Sequence, residues 1–273
     1  MIKALLARLQ QGHRTIGFPK TEPDLPERFR GRPVLKNEGR WTRDDGRGAR
    51  QEVLPSHAPQ AAPHSAIECC PTGAIRKDAE GLAIDLGRCL FCGQCAGDCS
   101  GGAIEFSRDY RLAARSRADL VLRGQKMKLA EALNEKTRSV LGRSLKLRQV
   151  SAGGCNACEA DTNVLGTVVY DLGRFGIQFV ASPRHADGLL ITGPVTENMK
   201  LALEKTYEAV PDPKIVIAVG ACAISGGPYI DLPAVHNGAD AVVPVDLYVP
   251  GCPPHPLTIL DGLLRLLKVV NGG

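Results

Sequence analysis

The second half of the chain alternates short apolar runs with helical stretches, and this alternation constrains its fold more than any other feature. Five runs rich in β-branched residues predict strands, at 145–152, 177–182, 188–193, 214–221 and 241–249. Helices are predicted at 162–175, 196–210 and 256–270. Strands that alternate with helices in this way form a parallel sheet covered on both faces. We therefore expect a doubly wound, flavodoxin-like α/β domain over residues 145–273.

Four cysteines follow the carboxyl ends of predicted strands: Cys155, Cys158, Cys222 and Cys252. In an open α/β sheet these ends meet at one crevice, where ligands bind. Glycines at 153, 154, 220 and 251 permit close backbone approach to a bulky inorganic core. The pattern predicts that four thiolates converge on a [4Fe–4S] cluster or on one zinc ion.

The strongest local motif is the run Cys89-x2-Cys92-x2-Cys95-x3-Cys99. Such spacing lets one loop wrap three thiolates around an iron–sulfur cube, and zinc is the alternative occupant. Residues 60–106 resemble a bacterial two-cluster ferredoxin, because CPTGAI at 70–75 and CSGGAI at 99–104 look like its two repeated halves. The other cysteines of that pattern are replaced by Ala66, Pro63 and Gln60, so the resemblance implies that one cluster is lost.

The resemblance also bears on the fourth ligand. In two-cluster ferredoxins the last cysteine of each run serves the other cluster. This implies that the surviving cluster is held by a distant cysteine together with three from the run, namely Cys70, Cys89, Cys92 and Cys95. Cys99 and Cys69 are then spare thiols. The alternative is that all four cysteines of the run serve one cluster.

A second resemblance covers about residues 147–268. It rests on GGCNACEAD, RFGIQFVASPRHADGLLITGPVT, DPKIVIAVGACAISGG and VPVDLYVPGCPPHP. These segments resemble the small subunit of group 4 membrane-bound [NiFe] hydrogenases of the formate hydrogenlyase and energy-converting type. They are similarly related to the quinone-facing iron–sulfur subunit of complex I. Complex I subunits carry two adjacent cysteines where this chain has Gly154 and Cys155, and this favours the hydrogenase side.

The N-terminal segment TEPDLPERFRGRPVL resembles the entry segment of the two-cluster ferredoxin subunit of the same complexes. The chain thus looks like a fusion of two neighbouring electron-transfer subunits. We expect an extended basic docking segment with a short helix at 1–60 and a degenerate ferredoxin-like α+β domain at 61–108. A helical connector at 109–144 and the α/β domain at 145–273 follow.

These resemblances imply an oxidoreductase subunit that carries two [4Fe–4S] clusters and no catalytic residue of its own. The nickel would sit on a large subunit, with further electron-transfer and membrane subunits as partners. One alternative is a complex I-like, quinone-reactive or nickel-free module. Another, of a different class, is a zinc-stapled basic scaffold.

Charge is distributed unevenly along the chain. Residues 1–146 hold 26 Lys and Arg against 17 Asp and Glu, a net charge of +9, whereas the remainder holds 8 against 12, a net charge of −4. With only 4% aromatic residues, the basic half gives little indication of nucleic-acid binding. Ile2, Leu5, Leu6 and Leu9 predict an amphipathic basic helix that lies on a membrane, on a partner or on its own domain.

The N-terminal residues lack the long apolar core of a secretion signal, and no run of about 18 apolar residues suggests a spanning helix. We therefore expect reduced thiols and peripheral association with the cytoplasmic side of the membrane.

Other polar residues are weaker candidates. His185, with Arg184 and Asp187, is expected beside the crevice, where a protonatable group couples electron and proton movement. No proton role is assigned to Asp161. Neither a GxGxxG turn nor a P-loop is present, so a nucleotide site has no support.

Overall fold

The computed structural model describes residues 2–12, 14–36, 64–79, 81–97, 103–124, 127–141 and 144–270. Cys99, Ser100 and residues 37–63, expected to be mostly extended, lie outside these residues. The elements of the first part are α1 (Ile2–Gln11), β1 (Pro33–Leu35), α2 (His64–Glu68), β2 (Ile75–Asp78), β3 (Gly81–Asp85), β4 (Ile104–Phe106), β5 (Val121–Arg123) and α3 (Glu135–Leu141). The second part contains β6 (Leu145–Ser151), α4 (Ala157–Val164), β7 (Ile177–Phe179), β8 (Gly188–Thr192), α5 (Glu197–Ala209), β9 (Ile215–Val219), α6 (Ala221–Ser225), β10 (Leu247–Val249) and α7 (Pro256–Leu266).

The second part is built on a five-stranded parallel sheet in the order β10-β9-β8-β6-β7. Counted within this part, the order is 2-1-3-4-5, the order of the flavodoxin fold. Every residue of β8 and β9 is buried, as expected for central strands covered on both faces. Every residue of α7 is buried as well. The predicted α/β architecture is confirmed.

The first part contains a separate antiparallel sheet in the order β2-β3-β5 and a two-stranded pair, β1-β4. Ile84 of β3 lies opposite Ile75 of β2 and Leu122 of β5, and all three side chains are buried. Cross-strand apolar pairs of this kind stabilise a small sheet. The loop that carries Cys89, Cys92 and Cys95 leaves this sheet directly after β3.

The prediction of a helical connector at 109–144 is wrong. Only α3 is an α-helix among the described residues there, and β5 is the third strand of the small sheet. Ala114 forms an antiparallel bridge with Tyr248 of β10, so this segment extends the edge of the large sheet. Burial of alternate residues such as Leu120 and Leu122 outweighs the helix propensity of the segment.

Element boundaries also differ in the second part. The helix expected at 162–175 is α4, which begins earlier at Ala157 and ends at Val164, followed by a 3-10 turn at Leu172–Phe175. The strand expected at 241–249 is reduced to β10. The short helix α6 was not expected from the sequence.

The segment 14–36, called here the N-terminal strap, packs on both parts of the molecule. Its residues Phe18, Leu25 and Leu35 are buried. Arg174 donates hydrogen bonds to the carbonyl oxygens of Ile16 and Phe18 at 3.0 and 2.8 Å. The strap is therefore part of the folded core. Of the docking segment expected at 1–60, residues 33–35 pair with β4 within the chain, whereas Arg28 and Arg30 remain exposed.

Helix α1 has a different environment, because none of its residues is buried. Ile2, Leu5, Leu6 and Leu9 are between 52% and 75% exposed. The alternative that this helix packs on its own domain is therefore wrong. No described helix is long and apolar enough to cross a membrane.

The two parts share a hydrophobic core. One buried cluster joins Leu86 and Leu120 of the first part to Ile224 and Tyr248 of the second. The ferredoxin-like region and the α/β domain thus pack into one body.

Candidate metal centres

Four thiols of the first part line one pocket: Cys70, Cys89, Cys92 and Cys95. Burial, together with repulsion from the three other thiols, raises the pKa of the Cys89 thiol to about 12. Burial likewise raises the pKa of Cys95 to about 11, with repulsion from Cys70 and Cys92. The distant Cys70 therefore lies with the three cysteines of the run, as the ferredoxin resemblance implies.

Cys70, Cys89, Cys92 and Cys95 are called here the first thiol group. Backbone N–H groups donate hydrogen bonds to two of its sulfurs. The amide of Ala74 donates to Cys70 Sγ at 3.2 Å, and the amide of Phe91 donates to Cys89 Sγ at 3.3 Å. Phe91 and Gly93 adopt left-handed conformations, with φ of 53° and 81°, and these turn the loop around its sulfurs. Hydrogen bonds to sulfur are typical of iron–sulfur sites.

Cys69 lines the same pocket but is disulfide-bonded. The expectation of reduced thiols is therefore wrong at this residue, whose sulfur is not available as a cluster ligand. Cys99, the other thiol expected to be spare, lies outside the described residues.

The second thiol group consists of Cys155, Cys158, Cys222 and Cys252 at the carboxyl edge of the large sheet. Burial raises the pKa of Cys222 to about 12, and repulsion from Cys252 and Cys155 contributes. Burial and the three neighbouring thiols also raise the pKa of Cys158 far above its ordinary range. The structure thus brings together the four cysteines that the strand pattern predicted.

Glycines allow the close approach of these sulfurs. A Cβ atom at Gly220 would lie 2.5 Å from Cys158 Sγ, and one at Gly227 would lie 2.8 Å from Cys222 Sγ. Gly220 has φ of 93° and Gly227 has φ of 56°, conformations that favour glycine. Both positions therefore require glycine for space and for backbone geometry.

The donor set has the chemistry of an iron–sulfur site, because each group consists of thiols. Burial and mutual repulsion raise the pKa of Cys89, Cys95, Cys158, Cys222 and Cys252 and so disfavour their thiolates, and a bound cation would offset both effects. Among the residues that the structure describes, no three His, Cys, Asp or Glu side chains close onto a single metal ion.

A buried carboxylate lies beside the second thiol group. Glu159 accepts hydrogen bonds from the hydroxyls of Ser151 and Thr192 at 2.6 and 2.7 Å. Burial opposes its ionisation, but these donated bonds outweigh burial and lower the pKa of Glu159. Ser151 and Thr192 are register partners at the ends of β6 and β8. The pairing of these strands supplies both donors, which the sequence analysis missed.

The two thiol groups approach each other. Partial burial raises the pKa of Cys252, and the thiols of Cys155 and of Cys92, a member of the first group, raise it further. A cavity of about 270 Å³ lies at this boundary and is lined by Phe91, Asp161 and Cys252. The strap contributes Arg28 and Arg30 to its wall.

His185 does not lie beside the thiols, contrary to expectation. His185 and Arg184 are in a short 3-10 turn that precedes β8, and neither lines the thiol pocket or the boundary cavity. This turn leads into the amino end of β8, whereas the thiols follow carboxyl ends. Asp187 accepts a hydrogen bond from the amide of Lys146 at 2.7 Å, a structural contact at the amino edge of the sheet.

Comparisons with known proteins identify relatives of the second part of the chain. Residues 155–266 match the family described as NADH ubiquinone oxidoreductase, 20 Kd subunit. The chain is 44% identical to a "Probable membrane-bound hydrogenase subunit mbhJ" of Pyrococcus furiosus, over 48% of this chain and 81% of that protein. It is 47% identical to formate hydrogenlyase subunit 7 of Escherichia coli, over 47% of this chain, and it spans about half (51%) of that protein's length.

Further relatives are NADH-quinone oxidoreductase B subunits. That of Clostridium beijerinckii is 46% identical over 43% of this chain and 70% of its own length. Among solved structures, an archaeal membrane-bound sulfane sulfur reductase chain is 38% identical, with a TM-score of 0.43 over 48% of this chain and 73% of that chain. These relatives are subunits of oxidoreductase complexes. The chain belongs to the family of the NADH ubiquinone oxidoreductase 20 Kd subunit.

Proposed function

We propose that this chain is the electron-transfer iron–sulfur subunit of a membrane-associated [NiFe] hydrogenase complex. It relays electrons between a ferredoxin-like cluster and a cluster beside the catalytic site, which a large partner subunit carries. The observation that carries this proposal is the pairing of two four-thiol groups in one body, where Phe91, next to Cys92 in the chain, lines the same cavity as Cys252.

The residues fit two [4Fe–4S] clusters. Cys70, Cys89, Cys92 and Cys95 would hold the first, and Cys155, Cys158, Cys222 and Cys252 would hold the second. A bound cluster supplies one-electron transfer. Amide donors to Cys70 and Cys89 orient the first set of sulfurs, and Gly220 and Gly227 leave space for the second set.

Exposure of thiols at the molecular surface supports an external partner. Cys155 and Cys252 are exposed, whereas Cys158 and Cys222 are half-buried. Bound metal centres are normally surrounded by protein that limits access of water. We therefore place the large subunit over the exposed side of the second thiol group.

Elemental analysis tests the cluster assignment. Protein purified without oxygen should contain about eight iron and eight sulfide ions per chain, the content of two [4Fe–4S] clusters, with broad visible absorption. A colourless protein that contains stoichiometric zinc would instead support the zinc-stapled scaffold.

A complex I-like, quinone-reactive or nickel-free module is the second candidate. The similarity to NADH-quinone oxidoreductase B subunits favours it. The chain is 46% identical to one such subunit, compared with 44% and 47% for the two hydrogenase relatives. Nickel analysis of the isolated native complex distinguishes the two. Nickel in the large subunit supports the hydrogenase, and its absence supports the alternative.

Helix α1 supports peripheral attachment at the cytoplasmic side of the membrane. Its exposed apolar face is flanked by Lys3 and Arg8, an arrangement suited to an anionic membrane surface or to a membrane subunit. Deletion of residues 2–11 should reduce the membrane-bound fraction of the complex and leave the iron content unchanged. Deletion up to residue 35 would also remove buried strap residues, so it is unsuitable as a test of docking. Unchanged membrane association after the short deletion would contradict the role of α1.

A further inference from the structure

The contact between the two parts of the chain is built around Gly87, two residues before Cys89. Ser225 Oγ donates a buried hydrogen bond to the carbonyl oxygen of Gly87 at 2.8 Å. Ser225 ends α6, three residues after Cys222. One hydrogen bond therefore joins a segment that leads into the first thiol group to the helix that carries a thiol of the second group.

Gly87 leaves no space for a side chain. A Cβ atom there would lie 2.7 Å from Ile224 Cγ2 and 2.7 Å from Arg117 Cζ. Gly87 is not among the residues with positive φ, so its backbone conformation does not require glycine. The need for glycine is steric, because α6 packs directly on the main chain at this point.

An ion pair between buried Asp85 and half-buried Arg117 holds Gly87 in place. Arg117 donates to both carboxylate oxygens of Asp85 at 2.7 Å, and Asp85 is 4% exposed. The amide of Gly87 donates to Asp85 Oδ1 at 2.9 Å. Two-point Arg–carboxylate bonding fixes direction as well as distance. Asp85, Gly87, Arg117 and Ser225 are called here the junction.

We propose that the junction is a positioning element that sets the separation between the two clusters. The inference rests on the proposed function, since it requires both clusters to be bound. When one electron passes between them, one cluster is oxidised and the other is reduced, with no bond formed or broken. Electrons pass between clusters by tunnelling, and the tunnelling rate falls exponentially with the distance between them. A rigid, close-packed junction holds that distance constant and thereby sets the rate.

Two substitutions change the junction without altering a thiol. Gly87→Ala introduces a methyl group that must displace α6 or Arg117. Ser225→Ala adds no atoms and removes the hydroxyl that lies within hydrogen-bond distance of the carbonyl oxygens of Gly87 and of Ala221 in α6. Gly173→Ala is the control for the first, because its Cβ would meet nothing closer than 3.9 Å. Thr206→Ala is the control for the second, because it removes a hydroxyl bond to the carbonyl of Ala202 in α5.

The readouts are iron per chain and the magnetic interaction between the two clusters in the dithionite-reduced protein, measured by electron paramagnetic resonance. We expect full iron content in all four variants. The magnetic interaction should weaken in Gly87→Ala, weaken less in Ser225→Ala and remain at the wild-type value in both controls. Electron transfer through the complex should slow severalfold in Gly87→Ala.

An unchanged interaction in both junction variants with full iron would overturn the proposal. Loss of iron from both variants, with retention in the controls, would also overturn it, because the junction would then serve cluster retention and not spacing. Wild-type protein without two clusters would instead refute the proposed function.

Discussion

The two thiol groups are assembled in different ways. In the first, three thiols come from one loop, Cys89 to Cys95, which leaves a small antiparallel sheet. In the second, the thiols come from three segments that follow β6, β9 and β10 of the parallel sheet, with Cys158 in α4 and Cys222 in α6. The first group therefore depends on local turns such as those at Phe91 and Gly93, and the second depends on the topology of a whole domain.

The two groups have similar ligands, but the loss of a ligand therefore affects different parts of the fold. Loss of one thiol from the second group leaves the sheet and its buried strands intact, because the strand residues of β8 and β9 provide no ligand. The first group shares its pocket with core side chains such as Ile75 and Ile84, so damage there extends into the small sheet.

The largest expected effect comes from Cys252→Ala. This change leaves one iron without its thiolate, so we expect the second cluster to be lost and catalytic electron transfer to be abolished. Iron should fall to about half of the wild-type content, with the spectrum of the first cluster retained. Full activity in this variant would show that the second thiol group is assigned wrongly.

Cys70→Ser and Cys99→Ser test how the first group is completed. Cys70 lies in the pocket with the three cysteines of the run, so its replacement should remove most iron of the first cluster. The Cys99 variant should retain the iron of the first cluster. The reverse result in separate iron assays would assign the fourth ligand to the local run.

Much of the second site could be predicted from sequence, because parallel strands bring their carboxyl ends to one edge. That rule placed Cys155, Cys222 and Cys252 together despite their separation along the chain. The same rule explains the error for His185, which precedes β8 and therefore lies at the amino edge.

The segment 109–144 shows why local helix propensity alone did not predict its structure. Residues 127–134 are mostly helix formers, yet Ala130 and Leu133 are buried without forming a helix there. Their amides donate to the carbonyl oxygens of Ala113 and Leu266 at 2.7 and 3.0 Å. Such long-range partners replace intrahelical bonds, and propensity contains no information about them.

Gly220→Ala should have an intermediate effect on the second group and none on the first. The new Cβ would lie 2.5 Å from Cys158 Sγ, and a φ of 93° is strained for alanine, which costs about 1–3 kcal/mol. We expect partial loss of iron from the second cluster and a lower Tm. Gly166→Ala is the matched control, because its Cβ would be 3.5 Å from the nearest atom. Equal iron in both variants would contradict the steric argument.

The smallest effect concerns His255, which caps α7. Its Nδ1 accepts a hydrogen bond from the amide of Leu257 at 3.2 Å, and burial lowers its pKa below 6.5. A lowered folded-state pKa favours neutral histidine, so this stabilisation is present above pH 6.5 and is lost as the pH falls through the lowered value.

The effect of protonation should be about 1 kcal/mol, the usual contribution of an N-terminal cap. His255→Asn keeps an acceptor that does not titrate. We therefore expect a weaker decrease in Tm between about pH 8 and pH 5 in this variant, a range that spans the ordinary histidine pKa. A decrease as large as in the wild type would exclude His255 as its source.

The hydrophobic core common to both parts has a consequence for assembly. Two separate subunits with the same contact would dissociate on dilution, and their pairing would depend on concentration. In one chain the contact is intramolecular, so its occupancy is set by the effective concentration that the covalent link provides. Every molecule therefore contains one copy of each thiol group. Heating should unfold both parts in a single cooperative transition, at a temperature that does not depend on protein concentration.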